Sequence, residues 1–266
     1  MTMDTDDSEN EMPVGEAAQP RFAAKLAVPT RLADSVSEAI AAALFDGRIA
    51  PGDALPSEGE IAREFGVSKP IAREALRQLA GAGLIRTQQG KVARAMALNG
   101  EPLDRFYGYA VRSSLKRLRE ANEMRLAVEI GVARIAARRR APIGLAGMAK
   151  AVAAMQAALL EPEGFTQADI DFHHGMALAT GNTMIRVQME GLRSIQREVS
   201  ELFSSRSERT EADWRATIQR HADILAAIEA GDETRVEEMI VRHYAAADIA
   251  SLEVARDLGE TEGRHG

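Results

Sequence analysis

The 266-residue sequence contains no cysteine. That excludes a disulfide framework, a thiolate metal site and a cysteine nucleophile. Aromatic residues make up only 4%, with a single tryptophan. No apolar run approaches the ~18 residues that a membrane span needs, so no membrane partner is expected. The first residues are acidic and lack a charged-then-apolar leader, so no secretory signal is expected and a cytoplasmic location is. Hydrophobic residues, by contrast, are plentiful at 45%. That is ample for buried cores and excludes global disorder. The length fits one large or two ordinary domains.

Basic residues are also missing locally. Residues 1–20 hold Asp4, Asp6, Asp7, Glu9, Glu11 and Glu16 with no Lys or Arg, so they carry −6 of the chain's −7. This stretch lacks periodicity, and residues 1–27 are expected to be a disordered acidic tail. Residues 21–98 hold 11 Lys/Arg against 8 Asp/Glu, a net of +3, and residues 99–266 hold 22 against 26, a net of −4. A positive module joined to a negative one suits a DNA reader fused to a second domain. Ordinary variation in charge is the alternative.

Residues 28–98 show a definite order of elements. Leu32, Val36, Ile40, Ala43 and Leu44 fall on one helical face, and Gly47, Pro51 and Gly52 end it. Ser57 followed by Glu60 has capping-box spacing ahead of a short helix with Ile61, Ala62 and Phe65. Gly66 stops that helix. Ser68 is placed to cap the next, in which Ile71, Ala75, Leu76 and Leu79 form the apolar stripe. Two strand-like runs, 84–88 and 91–96, follow around Gln89-Gly90. Helix, short helix, sharp turn, helix and hairpin make a winged helix-turn-helix, with recognition helix at Ser68. Lys69, Arg73 and Arg77 share the face opposite the stripe. Arg73 has the fork that reads guanine O6 and N7, and Lys69 suits a base or phosphate. Gln89, Gly90 and Lys91 at the wing tip would reach a neighbouring groove or phosphate. A solvated helix face is the competing reading of the three basic residues.

The run Leu55-Pro56-Ser57-Glu58, then Phe65-Gly66-Val67-Ser68-Lys69, then Arg73-Glu74-Ala75-Leu76-Arg77, then Gly83-Leu84-Ile85 and Gln89-Gly90-Lys91 resembles the GntR family of bacterial transcription regulators. The resemblance implies DNA contacts from Ser57, Glu58, Ser68, Lys69, Arg73, Arg77, Gln89, Gly90 and Lys91. Gly59 and Lys69 stand where the family often has arginine, and Pro70-Ile71 departs from its commoner pair. Lysine keeps the charge but loses the planar fork. The operator sequence is therefore open.

Residues 99–102 read as a linker. Beyond them, helical patterns cover 103–111, 114–140, 142–160, 164–180, 183–205, 209–230 and 232–256, an all-α bundle of six or seven helices. Trp214, Met155, Met176, Met184, Met189 and Met239 are expected to be packing residues. Residues 257–266 should form a flexible tail. There are five histidines: His173, His174, His221, His243 and His265. Asp169 and His173 are four apart on one expected helix, so both can face a common ion. His221 and His243 lie almost symmetrically about Gly231-Asp232, so an antiparallel hairpin would bring them to one level. One carboxylate and three imidazoles suit zinc first, then nickel or manganese. Histidines satisfied within the core, or lying on the surface, are the plainer alternative.

Glu123-Met124-Arg125 with Glu129, then Asp169-Ile170-Asp171-Phe172-His173, then Gly181-Asn182, His221 and His243, resembles the all-helical effector (FCD) domain of FadR-type GntR regulators. The resemblance implies one divalent ion per chain on Asp169, His173, His221 and His243. It implies a small organic acid as effector, with Arg125 placed to meet the carboxylate. A salt bridge from Arg125 to Glu129 is the alternative. Asp171 and His174 fall off the ligand pattern.

The fold expected is mainly α: an N-terminal winged helix-turn-helix at 28–98, then an all-helical effector-binding and dimerisation domain at 103–256. The function expected is a homodimeric repressor of double-stranded operator DNA, relieved by an acid at or near the metal. No catalytic residue is assigned. A metal-dependent enzyme is one alternative, but no H-E-x-x-H or other hydrolase motif occurs. A purely structural helical domain is the other.

Overall fold

The computed structural model describes residues 29–88, 90–204 and 209–247. The expected tails at 1–27 and 257–266, Gln89 and His265 lie outside the described residues.

Three helices and a hairpin come first: α1 (Pro29–Phe45), α2 (Glu58–Glu64), α3 (Lys69–Gly81), β1 (Ile85–Gln88) and β2 (Lys91–Ala95). The capping box forms: the Ser57 hydroxyl accepts from Glu60 N, and the Glu60 carboxylate accepts from Ser57 N at 2.8 Å. Two orphan donors at the helix start are thereby satisfied. Gly66 turns between α2 and α3 at φ 63°, where a Cβ would be strained. Val36, Ile40, Leu55, Ile61, Ala72, Ala75, Leu76, Leu79, Ile85 and Ala95 close one core. Ile71 is only half buried, and Leu32 and Phe65 are exposed, so the expected apolar faces are narrower than their patterns. The strands are antiparallel, Ile85 opposite Ala95.

Eight helices follow among the described residues: α4 (Glu101–Val111), α5 (Leu115–Arg139), α6 (Pro142–Ala157), α7 (Pro162–Ala179), α8 (Thr183–Gly191), α9 (Arg193–Ser204), α10 (Glu211–Ala230) and α11 (Glu233–Ala245). Three expectations are corrected here. Glu101 and Pro102, read as linker, form the first turn of α4; proline lacks the N–H that a first turn leaves unpaired anyway. The single helix expected at 183–205 breaks at Leu192. There α4 packs across the gap, Leu103 lies against Gly191, and Asp104 accepts from Ser194 N at the start of α9. Met184 is 63% exposed, so it is not a packing residue, whereas Met155, Met176, Met189 and Trp214 are buried.

The second core is arranged around α7, whose Phe165, Thr166, Ala168, Asp169, Ile170, Phe172, His173, Gly175, Met176, Ala177 and Ala179 are all buried. A helix apolar on nearly every side must be enclosed by others. Helix α6 approaches α7 closely because Gly144 has no side chain; a Cβ there would lie 2.0 Å from Ala179 N. The two parts join tightly: Gly100 N donates to Glu190 Oε2 at 3.0 Å, Arg186 Nη2 donates to Leu98 O at 2.7 Å, and Asn99 Nδ2 donates to Gly83 O at 2.9 Å. Among the described residues, no helix is long and apolar enough to cross a membrane.

Candidate metal centre and DNA-reading face

Asp169 and His173 sit one turn apart on α7, where the i,i+4 spacing stacks them on one face. His221 lies on α10 and His243 on α11. Gly231, left-handed at φ 72°, caps α10, and the Asp232 carboxylate caps α11. His221 is ten residues before Gly231 and His243 twelve after it, roughly 15 and 18 Å at 1.5 Å per residue. The two rings therefore meet, with centroids 4.5 Å apart. One donor atom from each of the four residues lies within 4.8 Å of the others.

The surroundings set which atoms face inward. His173 Nδ1 is 2.5 Å from Glu129 Oε2 on α5, so that nitrogen donates and Nε2 presents its lone pair to the cluster. His221 Nδ1 donates to Thr217 O at 2.9 Å. That leaves the acceptor Nε2 only 2.9 Å from Asp169 Oδ1. Two acceptors so close need a positive charge, either a second proton or a cation bound to both. Gln196 Nε2 donates to Asp169 O at 2.8 Å and to Oδ2 at 3.1 Å, which fixes the other carboxylate oxygen. His173 Nε2 and His243 Nδ1 are buried without a hydrogen-bond partner. Buried polar atoms normally have partners, so these two lack what a metal ion would supply. Burial, then the neighbouring His221 and His173, push His243 well below the usual imidazole range and keep it a neutral donor. Burial would raise Asp169, but its bond to His221 and the nearby imidazoles outweigh that and hold it below the usual carboxylate range.

Arg125 forms the alternative bridge with Glu129, Nη2 to Oε1 at 2.9 Å, and it also lines a cavity of about 560 Å³ with Asp169, His173 and His243. The two readings of Arg125 are therefore compatible. Burial raises Glu129, yet the His173 imidazole against it and the Arg125 guanidinium bring it down to about 2. Asp171 is exposed and accepts from Gln167. His174 is half buried, in the field of Glu190, Arg193 and Arg186. Neither joins the cluster. No motif or spacing marks Gln196 and Thr217 as its braces; both are ordinary polar residues on helices.

On the other domain, Lys69, Arg73 and Arg77 are exposed along α3, and Ser57 and the half-buried Glu58 stand at the start of α2, with Ser57 and Lys69 lining one shallow depression. Arg73 forks onto Glu58 at 2.9–3.1 Å, and Arg77 pairs with Glu74. Ser68 is the N-cap residue of α3, but its hydroxyl makes no capping bond and stays free. Gly90 and Lys91 are exposed at the wing.

A winged helix-turn-helix that presents arginines outward, joined to a helical bundle with a cavity, is the architecture of a DNA-binding regulator. Family models agree. Residues 32–94 match the gntR family of bacterial regulatory proteins, and residues 120–246 match the FCD domain. The chain belongs to the GntR family, with an FCD domain behind its DNA-binding module. It is 27% identical over 206 residues to the HTH-type transcriptional regulator LutR of Bacillus subtilis, covering 74% of this chain and 91% of that one. It is 29% identical over 208 residues to the galactonate operon transcriptional repressor of Escherichia coli, covering 77% and 90%. A GntR structure from Streptococcus agalactiae superposes with a TM-score of 0.62 at 20% identity, covering 80% of this chain and 98% of that one. The chain is thus a transcription regulator that binds operator DNA, not an enzyme.

Proposed function

We propose that this regulator is a repressor whose hold on its operator is set by a small organic acid. The acid binds beside a divalent ion held by Asp169, His173, His221 and His243. The convergence of four donor atoms within 4.8 Å at the wall of the cavity carries this reading. Three nitrogens and one oxygen suit zinc, and nickel or manganese after it. The ion would supply positive charge for an acid's carboxylate, with Arg125 as the neighbouring donor. One relative is named for the galactonate operon, and galactonate is a carboxylate.

On the DNA side, Arg73 is the base-reading residue and Arg77 and Lys69 its neighbours. Ser57, Glu58, Ser68, Gln89, Gly90 and Lys91 complete the contact surface. Two copies of the chain would place two such faces on a palindromic site. Helix α8 links the two functions, since it neighbours α7 and holds Gly100 and Leu98 through Glu190 and Arg186. A ligand that shifts α7 therefore reaches the linker through one helix.

The test measures bound metal in purified protein, then operator affinity with chelator and with added acids. Stoichiometric metal, and operator affinity that changes with acid only in the loaded protein, is the expected result. Metal-free protein, or affinity indifferent to chelator and acid, would sink this reading.

A further inference from the structure

The cavity has a second charged wall, opposite in chemistry to the metal donors. Arg209 precedes α10, and its guanidinium lies 4.2 Å from the centroid of the Trp214 ring and 5.3 Å from that of Phe165. Stacked on two rings, that side chain is held in place. Its Nη2 donates to Thr217 Oγ1 at 2.8 Å. Arg220, on α10, donates to the same hydroxyl at 2.7 Å, and its Nε is buried without a partner. Two like charges are thus gathered on one small oxygen. Burial, then Arg220, lowers the proton affinity of Arg209; burial, then Arg242, does the same for Arg220. The carboxylate on this wall is Asp213, which already accepts from Thr210 N and its hydroxyl.

The charges on the two walls describe the ligand that fits between them. Arg209 and Arg220 against Asp213 leave one positive charge at this wall. At the other wall Arg125 is cancelled by Glu129, and a divalent ion over Asp169 leaves one more. Charges partly removed from water need compensation. We infer that the effector is a small acid with two anionic groups, one held at the metal cluster with Arg125 and the other by Arg209 and Arg220. The inference rests on the acid-effector reading above and narrows it to a dicarboxylate or a phosphorylated carboxylate. Arg209 and Arg220 are the residues that select for the second anion.

Calorimetric titration of the full-length, zinc-loaded protein decides it. The probes are the unbranched diacids from malonate to adipate, the monoacid of equal carbon number for each, and 3-phosphoglycerate. At least one two-headed acid is expected to bind about tenfold or more tighter than its monoacid, as a charge-assisted contact gives. A preference for 3-phosphoglycerate alone would support the inference and identify the second group as phosphate. Arg209→Gln and Arg220→Gln should each remove the preference while zinc stoichiometry and monoacid affinity stay as in the unmodified protein. Arg220→Lys should retain part of it. The inference is overturned if every two-headed acid binds no better than its monoacid, or if the preference survives both glutamine variants. In either case monoacid binding leaves the broader acid-effector reading standing. If no acid of either kind binds, both fail.

Discussion

Arg73 and Arg125 each hold a glutamate at 2.9 Å, yet they sit in opposite worlds. The Arg73–Glu58 side chains are 69% and 38% exposed; those of Arg125 and Glu129 are 4% and 0%. An exposed pair contributes about 0–1 kcal/mol and opens readily. In the winged domain Glu58 holds the Arg73 fork in a defined pose, and in the DNA-reading role proposed above a guanine edge would compete for that fork. A buried pair is different. Breaking it leaves an uncompensated charge out of water, which costs several kcal/mol. In the helical domain Glu129 serves two partners, Arg125 and His173, and so orients both the cavity's deep arginine and an imidazole of the cluster. One bond type thus makes an openable pair in solvent and a rigid frame in the core.

The largest expected effect tests that contrast directly. Arg125→Ala should destabilise metal-free protein by about 3–5 kcal/mol in urea unfolding. A loss below about 1 kcal/mol would erase the distinction between the pairs. Next comes His221→Ala. With zinc at a hundredfold excess over its Kd, the unmodified protein should gain about 2.7 kcal/mol of apparent stability, and the variant none. Zinc retained at full stoichiometry in His221→Ala would remove that residue from the ligand set. Arg73→Ala should reverse the pattern, with folding stability changed by less than about 1 kcal/mol but operator binding weakened by about 1–3 kcal/mol. A variant equally weak at operator and random DNA would make Arg73 a phosphate contact instead of a base reader. The smallest effect is in the Glu58 titration. Its hydrogen bond to Arg73 lowers the carboxyl from its usual 4.5. The pair's contribution is therefore present above pH 4.5 and lost as the pH falls through the lowered midpoint. A carbon-detected NMR titration should show that midpoint below 4.5 and its return toward 4.5 in Arg73→Ala.

The sequence made much of this legible because several of its signals are local. The Ser57–Glu60 box, the turn at Gly66 and the two-stranded wing all depend on residues a few positions apart. So does the Asp169–His173 pair. The reading failed where a distant element intervened. The break at Leu192 follows from α4 packing across it, and Asp104 is 90 residues from the Ser194 amide that it accepts from. Met184 looked like core by composition, but its side chain faces outward from the first turn of α8.

The candidate site divides the same way. By itself the sequence determined most of the helices, several of their caps and which residues share a helical face, because the α-helix has a fixed local period. It also supplied donor types that require no sulfur. Only the tertiary structure decided that Glu129 stands under His173, 44 residues away, and that His221 meets Asp169 across 52 residues. It alone turned Arg209 and Arg220 toward the same cavity. Those placements depend on how whole helices pack, and packing is set by the shape and burial of every face at once, which no local spacing encodes.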